Sequence, residues 1–257
     1  MRCQFVFNPW EARAFIAKTI LNHPDVEEAL ENGVIALGRG ITNAYILREM
    51  LEVTNNTDFQ VNVDNYVAGI VDGTLWASNS TTRTPEVAFY NGEPRFEPMD
   101  KTIEKADLVI KGGNALGPDW IAGVLCAHPA GGTIGIVYAR AVARGIKILV
   151  PISVGKMIPY SVTDIVSDLG GQRAIDYVRG MPVGLFPIVG GEIFSEIEAI
   201  QTLGMVEVYP IGAGGVYGGA GATIFELSGI KEEVKKIIDL YEKIKNTKPL
   251  NVDLQPH

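Results

Sequence analysis

Gly38-Arg39-Gly40-Ile41-Thr42-Asn43 brings together the residue types that hold an anion. An apolar run, Val34 to Leu37, precedes it as a buried strand, and a helix opened by Thr42 or Asn43 follows. A helix N-terminus has backbone N–H groups without intrahelical acceptors, and its dipole favours negative charge. Gly38 and Gly40 let the backbone approach a phosphate or carboxylate closely, and Arg39 adds a cation. The same pattern also fits a tight turn between packed elements. It is not a P-loop, since no Gly-Lys-Ser/Thr follows. It also lacks the third glycine of the dinucleotide fingerprint. No cofactor is expected.

Lys111-Gly112-Gly113-Asn114-Ala115-Leu116-Gly117-Pro118-Asp119 is the second constellation. A lysine at a strand end beside glycines can lie over a bound oxyanion, with Asp119 as a general base in the same pocket. Alternatively Lys111 is solvated at a rim and Asp119 caps a helix starting near Trp120. In Val71-Asp72-Gly73-Thr74 the acid follows a buried run, where catalytic carboxylates are found, but Asp-Gly is also a common turn. His128-Pro129-Ala130-Gly131-Gly132-Thr133 is another glycine-rich helix entry and a second anion seat, with His128 either an acid–base group or a structural entry residue. No His, Cys or carboxylate set has metal-ligand spacing, so no metal site is expected. The glycines of Ile211 to Gly221 precede a strand rather than a helix, which suggests a hairpin connection or lid.

Several elements must position these residues. Ala12, Phe15, Ile16 and Ile20 recur at helical spacing within Pro9 to Leu30, where Pro24 marks a break or a new first turn. Tyr66 to Val71 and Glu86 to Tyr90 read as short strands, with Asn91-Gly92 as a turn and Ala77 to Thr84 as a loop. Ala106 to Ile110 is a buried strand, Thr133 to Arg144 a helix and Ile146 to Val150 a strand. Apolar strands alternating with helices predict an α/β fold: a Rossmann-like, mostly parallel sheet covered by helices. Ligands bind such sheets beyond the carboxyl ends of the strands, where Gly38, Gly73, Gly112 and Ser153 would converge. Further on, Gly184 to Val189 reads as a strand, Glu192 to Leu203 as a helix, Val206 to Ile211 and Ala222 to Leu227 as strands, and Ile230 to Asn246 as an amphipathic helix. The expected organisation is a Rossmann-like domain over residues 1–180, a small C-terminal α+β lobe over 181–250 and a tail over 251–257.

Composition narrows the function classes. The chain has 257 residues, 47% hydrophobic and 20% charged, as in a globular protein. Its formal net charge of -8 and sequence pI of about 5.0 argue against a nucleic-acid surface. Cys3 and Cys126 are too few for a disulfide scaffold, and the N-terminus carries no signal-peptide pattern. Gly132 to Pro159 is the most apolar segment, but Arg140, Arg144, Lys147 and Lys156 interrupt it. A soluble, cytoplasmic protein with no membrane partner is expected.

Taken in order, these segments resemble the fold shared by ribose-5-phosphate isomerase A, glucosamine-6-phosphate deaminase, CoA transferases and initiation-factor-2B-like proteins. The isomerase pattern is a strand ending Gly-x-Gly-Ser-Thr, then Asp-Gly-Ala-Asp, then Lys-Gly-Gly-Gly with a Glu shortly after. Gly38-Arg39-Gly40-Ile41-Thr42 matches the first except at Ile41. Asp72-Gly73 starts the second, with Leu75 where its second acid belongs, and Lys111-Gly112-Gly113 matches the third, with Asp119 near the position of the base. Ala106 to Ile110 and Gly112-Gly113-Asn114 are similar to the Ala-Asp-Leu-Val-Ile and Gly-Ala-Asp of the initiation-factor-like proteins, with Asn114 replacing the acid.

The resemblance spans about residues 10 to 155 and implies a small anionic, sugar-phosphate-like ligand. Its phosphate would rest on the N–H groups after Gly40, helped by Arg39 and Thr42. Asn43, Gly73, Gly112, Gly113, Asn114, Gly132 and Thr133 would complete the binding set. Asp72 or Asp119 would move a proton beside a carbonyl, and Lys111 would stabilise an enediolate, giving aldose–ketose isomerisation. The missing acids at Leu75 and Asn114 support a non-catalytic phospho-ligand binder instead. Acyl-CoA chemistry on Glu192 or Glu226 is a more distant alternative. By analogy a homo-oligomer is expected, with the C-terminal lobe supplying the contact.

Overall fold

The computed structural model describes residues 1–61, 66, 84–169, 175–178, 180 and 182–248. It opens with a strand that periodicity did not suggest: Arg2–Phe7 (β1) buries Phe5 and Phe7 and turns Val6 outward. Asn8 then caps α1, Pro9–Thr19, in a capping box with Glu11. Pro24 begins a separate helix, α2, Pro24–Asn32. Val34–Leu37 is β2, and α3 is Ile41–Val53.

Gly40, rather than Thr42 or Asn43, is the N-cap of α3. Asn43 cannot cap because its Nδ2 is drawn back to the carbonyls of Gly38 (2.5 Å) and Ile110 (3.1 Å). Of the expected Tyr66 to Val71 strand only Tyr66 is among the described residues; Asp72, Gly73 and nearly all of the expected loop lie outside them. Val87–Tyr90 (β3) and Glu93–Phe96 (β4) form a hairpin across Asn91-Gly92, both at positive φ. A single helical turn, α4, Met99–Thr102, leads to β5, Leu108–Ile110.

No helix begins near Trp120. Ala115–Leu116 (β6) and Ala122–Cys126 (β7) make an antiparallel hairpin, and Trp120 sits in its turn with φ 60°. Asn114 fastens this hairpin by accepting from the Leu125 amide at 3.0 Å. Next come α5 (Gly132–Arg144), β8 (Lys147–Pro151), α6 (Val162–Asp168) and β9 (Gly184–Ile188). The run expected to be helical from Glu192 is split. Glu192–Phe194 is a strand, β10, and α7, Glu196–Gln201, starts only where Ser195 and Glu198 form a capping box. Val206–Gly214 (β11), Ala222–Gly229 (β12) and Lys231–Ile244 (α8) follow.

The central sheet has six strands in the order β10-β8-β5-β2-β3-β4. The first four run parallel, and the β3–β4 hairpin adds the antiparallel edge. β2, β5 and β8 are buried nearly throughout, as strands with both faces covered must be. The fold is thus a mixed α/β, Rossmann-like one with helices flanking a mostly parallel sheet. After residue 181, β9 pairs with β7 and β10 extends the central sheet. β11, β12 and α8 form an α+β unit to which β1 adds the third strand. Phe7 centres its core, with ring centroids 5.1 Å from Phe15, 5.7 Å from Phe225 and 5.3 Å from Tyr241. Among the described residues no helix is long and apolar enough to cross a membrane.

Candidate functional site

Parallel pairing delivers the chain to one edge of the sheet at the ends of β2, β5, β8 and β10, so Gly38, Lys111, Ser153 and Glu196 all emerge there. Two helix N-termini open at this edge. The first bond within α3 runs from the Ala44 amide to the Gly40 carbonyl, and no side chain caps the helix. The amides of Ile41, Thr42 and Asn43 therefore have no acceptor among the described residues. α5 is equally uncapped at Gly131, where the chain is left-handed at Gly131 and Gly132.

Lys111 lies between these helices. It is 8% exposed, and among the described residues its ammonium donates only to the carbonyl of Gly112, at 2.8 Å. A Cβ at position 38 would stand 2.8 Å from Lys111 Cδ and 3.5 Å from Thr133 Cγ2, so Gly38 leaves the space that the lysine stem fills. Burial pulls the Lys111 ammonium down to about 8, with the neighbouring Cys126 opposing the shift. No carboxylate pairs with it among the described residues.

A second group of charges lies beside the first. Lys156 Nζ donates to the Gly113 carbonyl at 2.7 Å, one residue on from the carbonyl that Lys111 holds. Burial, and then the like charges of Arg13 and Lys111, pull Lys156 down to about 8, against the attraction of Glu196. Glu196 is fully buried at the start of α7, accepting from Ser153 Oγ at 2.5 Å and the Val154 amide at 2.9 Å. Its carboxyl is pushed up, first by burial, while those two bonds hold it down. Arg13, on α1, lies over the Trp10 ring at 4.7 Å, and its Nη1 is sealed from solvent without a partner among the described residues. Asn43 Oδ1 is likewise buried and unpartnered.

Of the residues expected at a site, Gly38, Thr42, Asn43, Lys111, Gly112, Gly113, Gly132 and Thr133 fall at or beside this edge. Arg39 is turned aside: it pairs with Glu86 at 2.8 Å and donates to the Thr84 carbonyl at 3.2 Å. Asp119 is exposed in the β6–β7 turn, where it accepts from Ser161 Oγ at 2.7 Å, and Asn114 serves the same hairpin. His128 is exposed and accepts from the Ala130 amide, shaping the turn into α5. Glu192 and Glu226 lie in polar contacts elsewhere, with His23 and with Arg2. Sequence reasoning missed Arg13, Lys156 and Glu196. An arginine in the otherwise apolar stretch Ala12 to Ala17 was the available signal for the first.

One set of potential metal donors, His23, Asp25 and Glu192, comes within 4.8 Å. Lys147 already holds Asp25 at 2.5 Å, and His23 accepts from the Asp25 amide as the N-cap of α2. The set reads as an ion-paired helix cap.

No protein-family model and no curated protein matches the chain. Among solved structures it is similar to a D-ribose-5-phosphate isomerase in complex with phospho-erythronic acid, at 12% identity, covering 92% of this chain and 87% of that one, with a TM-score of 0.35. It is also similar to the ribose 5-phosphate isomerase from Plasmodium falciparum, at 10% identity, covering 91% and 87%, with a TM-score of 0.31. Overlaps this distant carry no argument about activity, and the class that the fold defines is a mixed α/β, Rossmann-like protein.

Proposed function

We propose that this chain binds a small phosphorylated, sugar-phosphate-like molecule at the carboxyl edge of its parallel sheet. The phosphate rests on the free amides that open α3, facing those of α5, with Lys111 beneath it. The observation that carries this reading is Lys111: a buried ammonium between two uncapped helix N-termini, with no acidic partner among the described residues. A buried cation is costly unless an anion meets it, and helix N-termini select the sign of that anion.

A second reading adds aldose–ketose isomerisation. An ammonium that gains and loses its proton near neutrality suits the stabilisation of an enediolate oxygen, and the pKa of Lys111 favours it. Asp119 or Asp72 would then move the proton; Asp119 must leave Ser161 to do so.

Calorimetric titration with ribose 5-phosphate and inorganic phosphate tests both readings. Lys111→Met should weaken binding about ten- to a hundredfold, matching the roughly 1.5–3 kcal/mol of a hydrogen bond to a charged group. Equal affinity in the variant and the wild type, or no binding of either probe by the wild type, would overturn the phosphate reading. Conversion of ribose 5-phosphate by the wild type, absent in Lys111→Met, selects the isomerase; binding without conversion selects the binder.

A further inference from the structure

Among the described residues, cations outnumber acids around Lys111 and Lys156. Arg13, Lys111 and Lys156 enter no ion pair among the described residues, whereas Arg39, which leaves the same edge, is held by Glu86. Glu196 is the acid that faces Arg13 and Lys156, and its two oxygens accept from Ser153 Oγ and the Val154 amide. It fixes the 153–156 turn that presents Lys156, and its single charge stands against the two of Arg13 and Lys156. The two lysines use one proton each, on the successive carbonyls of Gly112 and Gly113, leaving further donors on both. Arg13, over the Trp10 ring, has a guanidinium nitrogen with no acceptor among the described residues. Buried donors and charges are almost always satisfied, and those left over mark where something else binds. A phosphate over Lys111 occupies the donors of Lys111 and leaves Arg13 Nη1 and the remaining donors of Lys156 without an acceptor among the described residues.

We propose that Arg13 and Lys156 form a second anion subsite beside the phosphate seat, so that the ligand carries a second acidic group, a carboxylate or another phosphate. This rests on the phosphate reading above and narrows its ligand class to bis-anionic small molecules. Arg13 supplies the planar fork that matches either group, Lys156 the point charge, and the glycines at 112 and 113 a bare backbone between the two seats.

The test compares affinities within matched pairs at low salt: 3-phosphoglycerate against glycerol 3-phosphate, 6-phosphogluconate against sorbitol 6-phosphate, and fructose 1,6-bisphosphate against fructose 6-phosphate. In at least one pair the bis-anionic member should bind tenfold or more tighter. That ratio should fall to within twofold in Arg13→Gln and in Lys156→Met, and Arg13→Lys should keep part of it. The pair that shows the preference identifies the second group. Phosphate binding without any preference, or a preference that survives both substitutions, overturns the second subsite alone. Failure of all six ligands overturns the phosphate seat as well. Circular dichroism separates lost preference from lost fold, and the wild-type comparison decides even where a variant does not fold.

Discussion

Lys111 and Lys156 make the edge sensitive to pH in a direction that the burial of each fixes. Both titrate near 8 in the folded chain, against an ordinary 10.5. Cys126 faces the first; Arg13, Lys111 and Glu196 face the second. Between those values the unfolded chain holds protons at these positions that the folded chain does not. Their contribution to stability therefore grows as pH rises through that window. Anion binding needs the protonated ammoniums, so affinity should fall over the same range. Thermal unfolding from about pH 7 to 9.5, with and without inorganic phosphate, checks both trends: the melting temperature gained from phosphate should shrink as pH rises. In the Lys111→Met, Lys156→Met double variant it should depend far less on pH. A phosphate-induced gain that is unchanged at high pH in the wild type would contradict the assignment.

Among the elements, the β2–α3 junction is where local chemistry and packing meet most tightly. Gly38 is required because the Lys111 stem occupies the space that a side chain would need, with Thr133 beyond it. Gly38→Ala should displace Lys111 or shift the junction, costing about 1–3 kcal/mol as overpacking does. The loss of phosphate affinity should exceed that of Gly184→Ala, where no atom lies within 4 Å of the added carbon and the backbone is not left-handed. Equal losses would show that space at residue 38 is not what seats the lysine. Neighbouring elements are tuned by caps: Asn8 with Glu11, and Ser195 with Glu198, set where α1 and α7 begin. Arg13 follows the first cap on α1, and Glu196 opens α7 directly after the second.

At the scale of the molecule, the first and last parts of the chain share one core. β1 lies against β12, Glu11 accepts from the Asn246 amide at 2.7 Å, and Tyr241 donates to the Val6 carbonyl at 2.9 Å. Phe7 joins the sheet, α1 and α8 in one aromatic cluster. Phe7→Ala should cost about 3–5 kcal/mol in denaturant unfolding. Fluorescence and far-ultraviolet circular dichroism should lose structure together; transitions at different denaturant concentrations would mean that the C-terminal sheet and the central sheet unfold separately. The net charge of -8 makes the positive edge a local exception, which suits the capture of a small anion.

What the sequence by itself determined is local in origin. The apolar run 34–37, the 3.6-residue spacing in α1, α5 and α8, the Asn91-Gly92 turn and a lysine at the end of β5 each announce themselves within a few residues. Alternating strands and helices were enough for the α/β class and for the sheet edge on which Gly38 and Lys111 meet. Only the tertiary structure decided that Arg39 turns away to Glu86, that Asp119 rides a hairpin held by Asn114, and that β1 closes the last sheet. It also brought Arg13, Lys156 and Glu196, far apart along the chain, into one charged group. Those outcomes depend on which distant surfaces bury one another and which charges are left unmatched when they do, and no spacing along the chain records that.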